Sequence, residues 1–259
     1  MNQKLAAAFA KGKAFIPFVT AGDPTLETTK AVVKAMVEAG ADVVELGIPF
    51  SDPTAEGPVI QGANLRALSG GVDTDKVLAC AKELSAEVDV PLVFMTYGNV
   101  VYHYGIERFA TAAADAGICG IILPDVPYEE KAEFAGILAD HGIDLISMVA
   151  PTSEDRIAMI AREAEGFIYL VSSLGVTGTR TSFTTDLDSI VAKIREVTDT
   201  PVAIGFGISN PEQAATMAAK ADAAIVGSAI VKIIAAEGEN AAPAVGEFVK
   251  GLAEATHNA

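Results

Sequence analysis

The chain has 259 residues, of which 51% are apolar, and 34 acidic residues against 18 Lys and Arg give a net charge of −16. So acidic a chain argues against binding nucleic acid or an anionic membrane, since both attract a basic face. It leaves phosphorylated small molecules open, because backbone N–H groups and helix N-termini bind phosphate without net positive charge. The length alone fits one large domain or two smaller ones.

The sequence shows no pattern typical of a targeting or membrane segment. Its apolar runs are shorter than the ~20 residues of a membrane helix. Residues 1–15 lack the apolar core and cleavage site of a signal peptide and instead predict a short amphipathic helix. Cys80 and Cys119 lie among apolar or small residues, as reduced structural thiols do. These features predict a cytoplasmic protein.

In chain order, β-branched apolar runs alternate with Ala-rich segments of helical spacing. Short apolar strands separated by helices predict a parallel sheet covered by helices. Eight such units favour a closed α/β fold, the (β/α)8 TIM barrel, with a short N-terminal helix and a single domain over residues 1–259. An open doubly wound sheet is the alternative, although no G-x-G-x-x-G follows the first strand. The predicted strands are 14–20, 42–48, 91–97, 120–126, 144–150, 166–173, 201–207 and 223–229.

The helical segments also carry end signals. Glycine commonly ends a helix, because it adopts the left-handed conformation that the terminating residue requires. Glycines at 40, 117, 142 and 166 are predicted to end helices in this way. The clearest amphipathic segments are 27–40, 75–86, 129–142 and 211–221.

Residues 41–61 are the most informative stretch of the chain. Glu45 interrupts an apolar run typical of a buried strand, and a Pro- and Gly-rich loop then carries Asp52 and Glu56. Burying a carboxylate costs several kcal/mol unless it is paired or neutralised. A carboxyl at the carboxyl end of a barrel strand lies on the active face of this fold, which favours a catalytic role. The alternative is a structural acid paired with a core Arg or Lys.

The loops after the last three predicted strands indicate an anion site. Segment 172–185 is longer than most strand-to-helix connections, contains Gly178, and is predicted to be a lid. Gly207, Gly227 and Ser228 follow strands 7 and 8, where phosphate commonly binds in TIM barrels. Glycine lets the backbone approach a ligand closely, and the N–H groups that follow can hold an anion.

The floor of the predicted pocket is aromatic. Phe18, Tyr97, Tyr169 and Phe206 fall near strand ends, although each taken singly also suits barrel packing.

Other kinds of catalysis are poorly supported. No G-x-S-x-G is present, none of the eight runs contains Lys for a Schiff base, and the three histidines have no triad or metal spacing. Carboxylate acid–base chemistry on a phosphorylated substrate remains.

These motifs occur together, and in order, in one known family. The chain resembles the tryptophan synthase alpha subunits over essentially its whole length, in the segments PFVTAGDP (17–24), ELGIPFSDPTAEGPVIQ (45–61), LPDVP (123–127), GVTG (175–178), GFGIS (205–209) and VGSAI (226–230). The segment at 45–61 is highly specific to that family.

The resemblance implies a (β/α)8 barrel that cleaves indole-3-glycerol phosphate to indole and glyceraldehyde 3-phosphate. It implies no cofactor in this chain. It also implies a beta subunit that carries pyridoxal phosphate, receives the indole through a tunnel and assembles with the alpha chain as an α2β2 tetramer. Loop 49–58 is expected on the side that faces this partner.

The resemblance also implies roles for individual residues. Glu45 falls on the family's general acid–base glutamate, expected to have a raised pKa. Glu56 falls on its second acid, which contacts the indole N–H and is expected to stay ionised. The family reads A-D-G-P where this chain reads A-E-G-P, so the second acid reaches one methylene further. The remaining matches are Gly178, Gly207, Gly227 and Ser228 for phosphate, Phe18, Tyr97, Tyr169 and Phe206 for indole, and Thr177 for contact with the second acid.

Three other functions stay open. The chain could be a different phosphate-handling barrel enzyme, such as a phosphosugar isomerase, because fold alone does not fix function. It could be a free-standing lyase that releases indole without a partner. It could also be an alpha-like subunit that only activates its beta partner.

Overall fold

The computed structural model describes residues 2–151, 154–172, 186–205 and 207–259. Within these ranges eight parallel strands form a closed barrel in chain order, with the last strand hydrogen-bonded to the first. The predicted (β/α)8 barrel is therefore confirmed. The strands are β1 (Ala14–Thr20), β2 (Val44–Gly47), β3 (Leu92–Met95), β4 (Ile118–Ile122), β5 (Asp144–Val149), β6 (Glu165–Val171), β7 (Val202–Gly205) and β8 (Ala223–Val226).

The described residues also contain twelve α-helices, which connect the strands and cover the barrel. They are α1 (Gln3–Phe9), α2 (Leu26–Glu38), α3 (Pro58–Ser69), α4 (Thr74–Glu87), α5 (Gly98–Tyr104), α6 (Ile106–Asp115), α7 (Ala132–Asp140), α8 (Glu154–Arg162), α9 (Leu187–Arg195), α10 (Pro211–Lys220), α11 (Ser228–Glu237) and α12 (Ala241–His257). Two short 3₁₀ turns span Tyr128–Glu130 and Gly238–Asn240.

Local sequence signals explain where several helices begin and end. The side chains of Thr25, Asp73 and Asn210 cap α2, α4 and α10 by accepting a hydrogen bond from an N–H of the first turn. Gly40 and Gly117 follow helix ends at φ 105° and 77°, as predicted. These caps satisfy backbone groups that the helices themselves leave without partners.

Two hydrophobic layers hold the barrel together. Inward side chains such as Ile16, Val93 and Ile225 fill its interior, while a larger set lies between the strands and the surrounding helices. The predicted N-terminal helix is present as α1. Its Leu5 joins the interior cluster, and Phe9 packs on Phe167 with ring centroids 5.6 Å apart, so α1 closes the amino end of the barrel.

Several predicted boundaries differ from the structure. The strand predicted at 223–229 ends at Val226, before α11 begins at Ser228. The strand predicted at 120–126 is β4, which ends before Pro124 because proline cannot donate a ladder hydrogen bond. The helix predicted at 129–142 begins as a 3₁₀ turn. Gly166 does not end a helix: it lies inside β6 at φ 65°, where the register with β5 shifts. A side chain at Gly166 would approach the Ile146 Cδ1 atom to 2.6 Å.

In the described part of the chain, no helix is both long enough and apolar enough to cross a membrane.

Candidate active site

A cavity opens at the carboxyl end of the barrel and gathers most of the predicted site. Seven of the predicted residues line it, namely Phe18, Glu45, Glu56, Tyr169, Gly207, Gly227 and Ser228. Further lining comes from Ala55, Ile60, Met95, Pro124, Met148, Ile208 and Ile225. Thr177, Gly178, Phe206 and all of the predicted lid except Ser172 lie outside the described residues.

Glu45 is buried in the middle of β2. It pairs in register with Phe18 on one side and Val93 on the other, and its exposed fraction is 0%. Neither carboxyl oxygen has a hydrogen-bond partner among the described residues. Burial therefore raises the pKa of Glu45 to about 8, since nothing compensates for the lost hydration of the charge. In the described structure no Arg or Lys pairs with it, so the structural-acid alternative fails.

Glu56 lies on the loop between β2 and α3, almost as deeply buried. The Asn64 Nδ2 atom donates a hydrogen bond of 2.6 Å to the Glu56 Oε2 atom. Burial raises the pKa of Glu56 to about 7, while hydrogen bonds from Asn64 and Tyr97 oppose the rise. Burial thus works against the expected ionised form of Glu56, because the loop buries the carboxyl more than its sequence suggests.

Tyr97 lies beneath this loop and is 2% exposed. Its hydroxyl accepts a hydrogen bond of 3.1 Å from the Ala55 N–H, and its ring packs on Phe50 at a centroid distance of 5.2 Å. The Gln61 side chain holds the same loop from α3, donating to the Glu56 carbonyl oxygen at 2.7 Å. Tyr97, predicted as part of the indole pocket, thus supports the loop that carries Glu56.

Two glycines make room for the aromatic rings of the cavity. A Cβ atom on Gly47 would lie 2.7 Å from the Phe18 ring, and one on Gly205 would lie 2.5 Å from the Tyr169 hydroxyl. Real Cβ contacts this short require the neighbour to move. Glycine at these two positions therefore leaves the space that the side chains of Phe18 and Tyr169 occupy.

The part of the cavity lined by Gly207, Gly227 and Ser228 suits an anion. Helix α11 begins at Ser228, and its N-cap residue Gly227 has no side chain to cap the first turn. The N–H groups of that turn are available to a ligand, and the helix dipole favours negative charge there. Gly207 adopts φ 84°, two residues after the end of β7. Of the described residues that line the cavity, none is Lys, Arg or His, so among them the donors for an anion are backbone N–H groups and the Ser228 hydroxyl.

Sequence reasoning missed Asn64 and Gln61, both on α3. They reach back to a residue five to eight positions earlier across a loop whose path is set by tertiary packing. In the sequence these residues are only a pair of amide side chains near the start of an apolar helix. Such pairs are too common to identify a functional residue.

The other candidate groups have structural roles. Both cysteines are free and buried, and burial raises the pKa of the Cys80 thiol to about 11, so it is not a ready nucleophile. His257 contacts Asp42 at 2.7 Å and His141 contacts the Thr111 hydroxyl at 3.1 Å, and neither histidine lines the cavity. The described residues contain no cluster of three or more His, Cys, Asp or Glu that could hold a metal ion.

The fold is that of a TIM-barrel enzyme, and its described cavity brings two buried carboxyls together with the uncapped N-terminus of α11. A sequence model of the family described as "Tryptophan synthase alpha chain" matches residues 5–257. The chain belongs to this family.

Individual relatives agree. The tryptophan synthase alpha chain of Lacticaseibacillus casei is 49% identical over 252 residues, which cover 97% of this chain and 95% of the relative. A solved structure of Mycobacterium tuberculosis tryptophan synthase superposes with a TM-score of 0.91 at 33% identity, covering 99% of each chain. A tryptophan synthase complex from Pyrococcus furiosus gives a TM-score of 0.85 at 33% identity, covering 93% of this chain and 98% of that one.

Proposed function

We propose that Glu45 and Glu56 carry out acid–base catalysis in the cleavage of indole-3-glycerol phosphate to indole and glyceraldehyde 3-phosphate. Cleavage of this substrate in tryptophan biosynthesis is the function of the family to which the chain belongs. The observation that carries the proposal is the carboxyl of Glu45, which is fully buried, has no partner among the described residues and lines the cavity.

The reaction is a retro-aldol cleavage, and one carboxyl that is protonated at rest can serve both of its proton transfers. The Glu45 carboxyl first donates its proton to carbon C3 of the indole ring, which gives an indolenine-like intermediate with positive charge on the ring nitrogen. The resulting carboxylate then takes the proton of the adjacent glycerol hydroxyl. The C–C bond breaks, its electron pair restores the indole ring, and the hydroxyl carbon leaves as an aldehyde. A pKa of about 8 suits both transfers near neutral pH.

Glu56 supplies a negative charge for the cationic intermediate. Its carboxylate would accept a hydrogen bond from the indole N–H and stabilise the positive charge that develops on that nitrogen. Its pKa of about 7 means that the ionised form is available at neutral pH, and the contact with a cationic ring would favour it further.

The phosphate group is assigned to the α11 N-terminus, with Gly207, Gly227 and Ser228. Because backbone groups hold the anion there, the acidic composition of the chain is no obstacle. Thr177, Gly178, Phe206 and the lid at 172–185 are assigned from the family resemblance, the lid to exclude water once substrate is bound.

Alpha chains of this family carry no cofactor, and pyridoxal phosphate belongs to the beta subunit. We propose that this chain works as the alpha half of a cytoplasmic α2β2 tetramer. Among the described residues, Leu65 and Tyr102 are the large hydrophobic side chains that remain exposed, at 60% and 69%. Leu65 lies on α3, which follows β2, and Tyr102 lies on α5, which follows β3. A partner that covers loop 49–58 could therefore also reach both side chains.

The experiment measures indole released from indole-3-glycerol phosphate by the purified chain, alone and with a cognate beta subunit. Slow release alone and a large gain with the partner support the proposal. Fast release without a partner would support the free-standing lyase. Absence of release under both conditions, from a folded chain that still activates the beta subunit, would support a purely activating subunit.

A further inference from the structure

We infer that Asn64 is a positioning residue for Glu56, matched to the longer acid that this chain carries at that position. The inference rests on the proposed role of Glu56 in the reaction. It concerns a residue on α3 that does not line the cavity and acts only through the carboxyl it holds.

The contact itself is short, buried and specific. Asn64 is 4% exposed, and its Nδ2 atom lies 2.6 Å from the Glu56 Oε2 atom. A hydrogen bond to a charged group is among the stronger kinds in proteins, and a buried amide that loses it has no water to replace it. Asn64 therefore favours the conformation in which the Glu56 carboxyl is ionised and turned towards α3.

The helix that presents Asn64 is anchored at a second point. Arg66, two residues further along α3, makes a two-pronged ion pair with Asp23 on the loop after β1, through hydrogen bonds of 2.7 and 2.8 Å. The Asp23 side chain is 1% exposed and that of Arg66 is 40% exposed, so the anchor is half-buried. This anchor fixes the position of α3, and with it the position from which Asn64 contacts Glu56.

The loop that carries Glu56 is also fixed through its backbone. Gln61 holds the Glu56 carbonyl and Tyr97 holds the Ala55 N–H. With both ends of the contact fixed, the length of the side chain at position 56 decides whether the carboxyl reaches Asn64. An aspartate would end about 1.5 Å short. The pair Glu56–Asn64 is therefore matched in length.

The Glu56 carboxyl faces two hydrogen-bonding side chains and one other acid. Asn64 of α3 and Tyr97, which precedes α5, hydrogen-bond it, and Glu45 of β2 lines the same cavity. Within the described structure no cationic side chain contributes to its ionisation. Removal of the Asn64 amide should consequently move the ionisation of Glu56 towards higher pH.

The experiment is a double-mutant cycle on the complex with the beta subunit. Asn64→Ala is compared with wild type, and again in a Glu56→Ala background, by the pH dependence of kcat/KM for indole release. In the wild-type background we expect a loss of about 10- to 100-fold and a shift of the acidic limb to higher pH. In the Glu56→Ala background we expect no further loss, since there is no carboxyl left to position.

Two further variants complete the test, one conservative and one a control. Asn64→Asp preserves the volume and shape of the side chain while replacing the donor by a second carboxyl, so it should fold and move the acidic limb further still. Asn240→Ala is the matched control, an exposed asparagine on the 3₁₀ turn before α12 whose side chain makes no capping hydrogen bond, so its loss should leave the profile unchanged.

The possible outcomes separate the inference from the proposal beneath it. Equal losses for Asn64→Ala in both backgrounds, or an unmoved acidic limb in Asn64→Asp, would overturn the positioning role while leaving that of Glu56 intact. Wild-type activity of Glu56→Ala would instead overturn the proposed role of Glu56, and the inference with it.

Discussion

Glu45 of β2 lies opposite Phe18 of β1 in the barrel register, so the buried carboxyl stands beside an aromatic ring and not beside a cation. An apolar neighbour offers neither a hydrogen bond nor a compensating charge, and the carboxyl is therefore kept protonated to about pH 8. Glu56 lines the same cavity but has two hydrogen-bonding partners, Asn64 and Tyr97, which oppose the rise of its pKa. Two carboxyls with different environments can thus divide the roles of acid and anion between them.

The first prediction is a narrow bell-shaped pH profile of kcat/KM. Activity should rise with pH as Glu56 ionises around pH 7, and fall again as Glu45 loses its proton around pH 8. Steady-state indole release between pH 5.5 and 9.5 measures both limbs. A profile that stays flat up to pH 9 would show that the protonated form of Glu45 is not required.

The second prediction concerns stability. Because the pKa of Glu45 is raised on folding, its contribution to the free energy of unfolding is greatest below about pH 4.5 and is lost as the pH rises to about 8. Glu45→Gln should therefore stabilise the protein at pH 8.5, by on the order of 2 kcal/mol after local relaxation. Chemical denaturation at pH 5.5 and 8.5 measures the difference, which should shrink at the lower pH.

The exposed Glu130, on the 3₁₀ turn before α7, provides the matched control for this measurement. Glu130→Gln should change the free energy of unfolding little at either pH. If Glu45→Gln also had no effect at pH 8.5, the burial cost assigned to that carboxyl would be wrong.

The third prediction tests the space that glycine leaves for Tyr169. Gly205→Ala would place a methyl group 2.5 Å from the Tyr169 hydroxyl, so we expect a loss of about 1 to 3 kcal/mol of stability and weaker substrate binding. Gly136→Ala is the control, since Gly136 lies exposed in α7 with open space around it. That change should stabilise the chain by about 0.5 to 1 kcal/mol, because alanine is the better helix former. Thermal unfolding of both variants, with KM for the first, measures the effect.

Much of this architecture could be predicted from the sequence, for a physical reason. Strands buried on both faces leave continuous apolar runs, and an acid such as Glu45 inside one of them stands out. The end of β4 could not be placed as well, because the apolar run continues into a turn at Pro124. The ionisation of Glu56 and the contact from Asn64 depend on how a loop folds back on a helix. No local pattern encodes that distance.

The fourth prediction follows from the length of the side chain at position 56. Glu56→Asp keeps the charge but falls short of Asn64, so it should retain part of the activity, whereas Glu56→Ala removes the charge altogether. We expect kcat/KM to fall about tenfold in the first and about a hundredfold or more in the second. Equal losses in the two variants would show that Glu56 is not the group that contacts the indole nitrogen.

The most direct measurement is the turnover of Glu45→Gln, made on the complex with the beta subunit together with the binding of a non-cleavable substrate analogue. The amide keeps the size of the side chain and removes the transferable proton. We predict that indole release falls by about a thousandfold or more while the analogue binds within a few-fold of wild type. Near-wild-type turnover of this variant would contradict the assignment of Glu45 as the acid–base group.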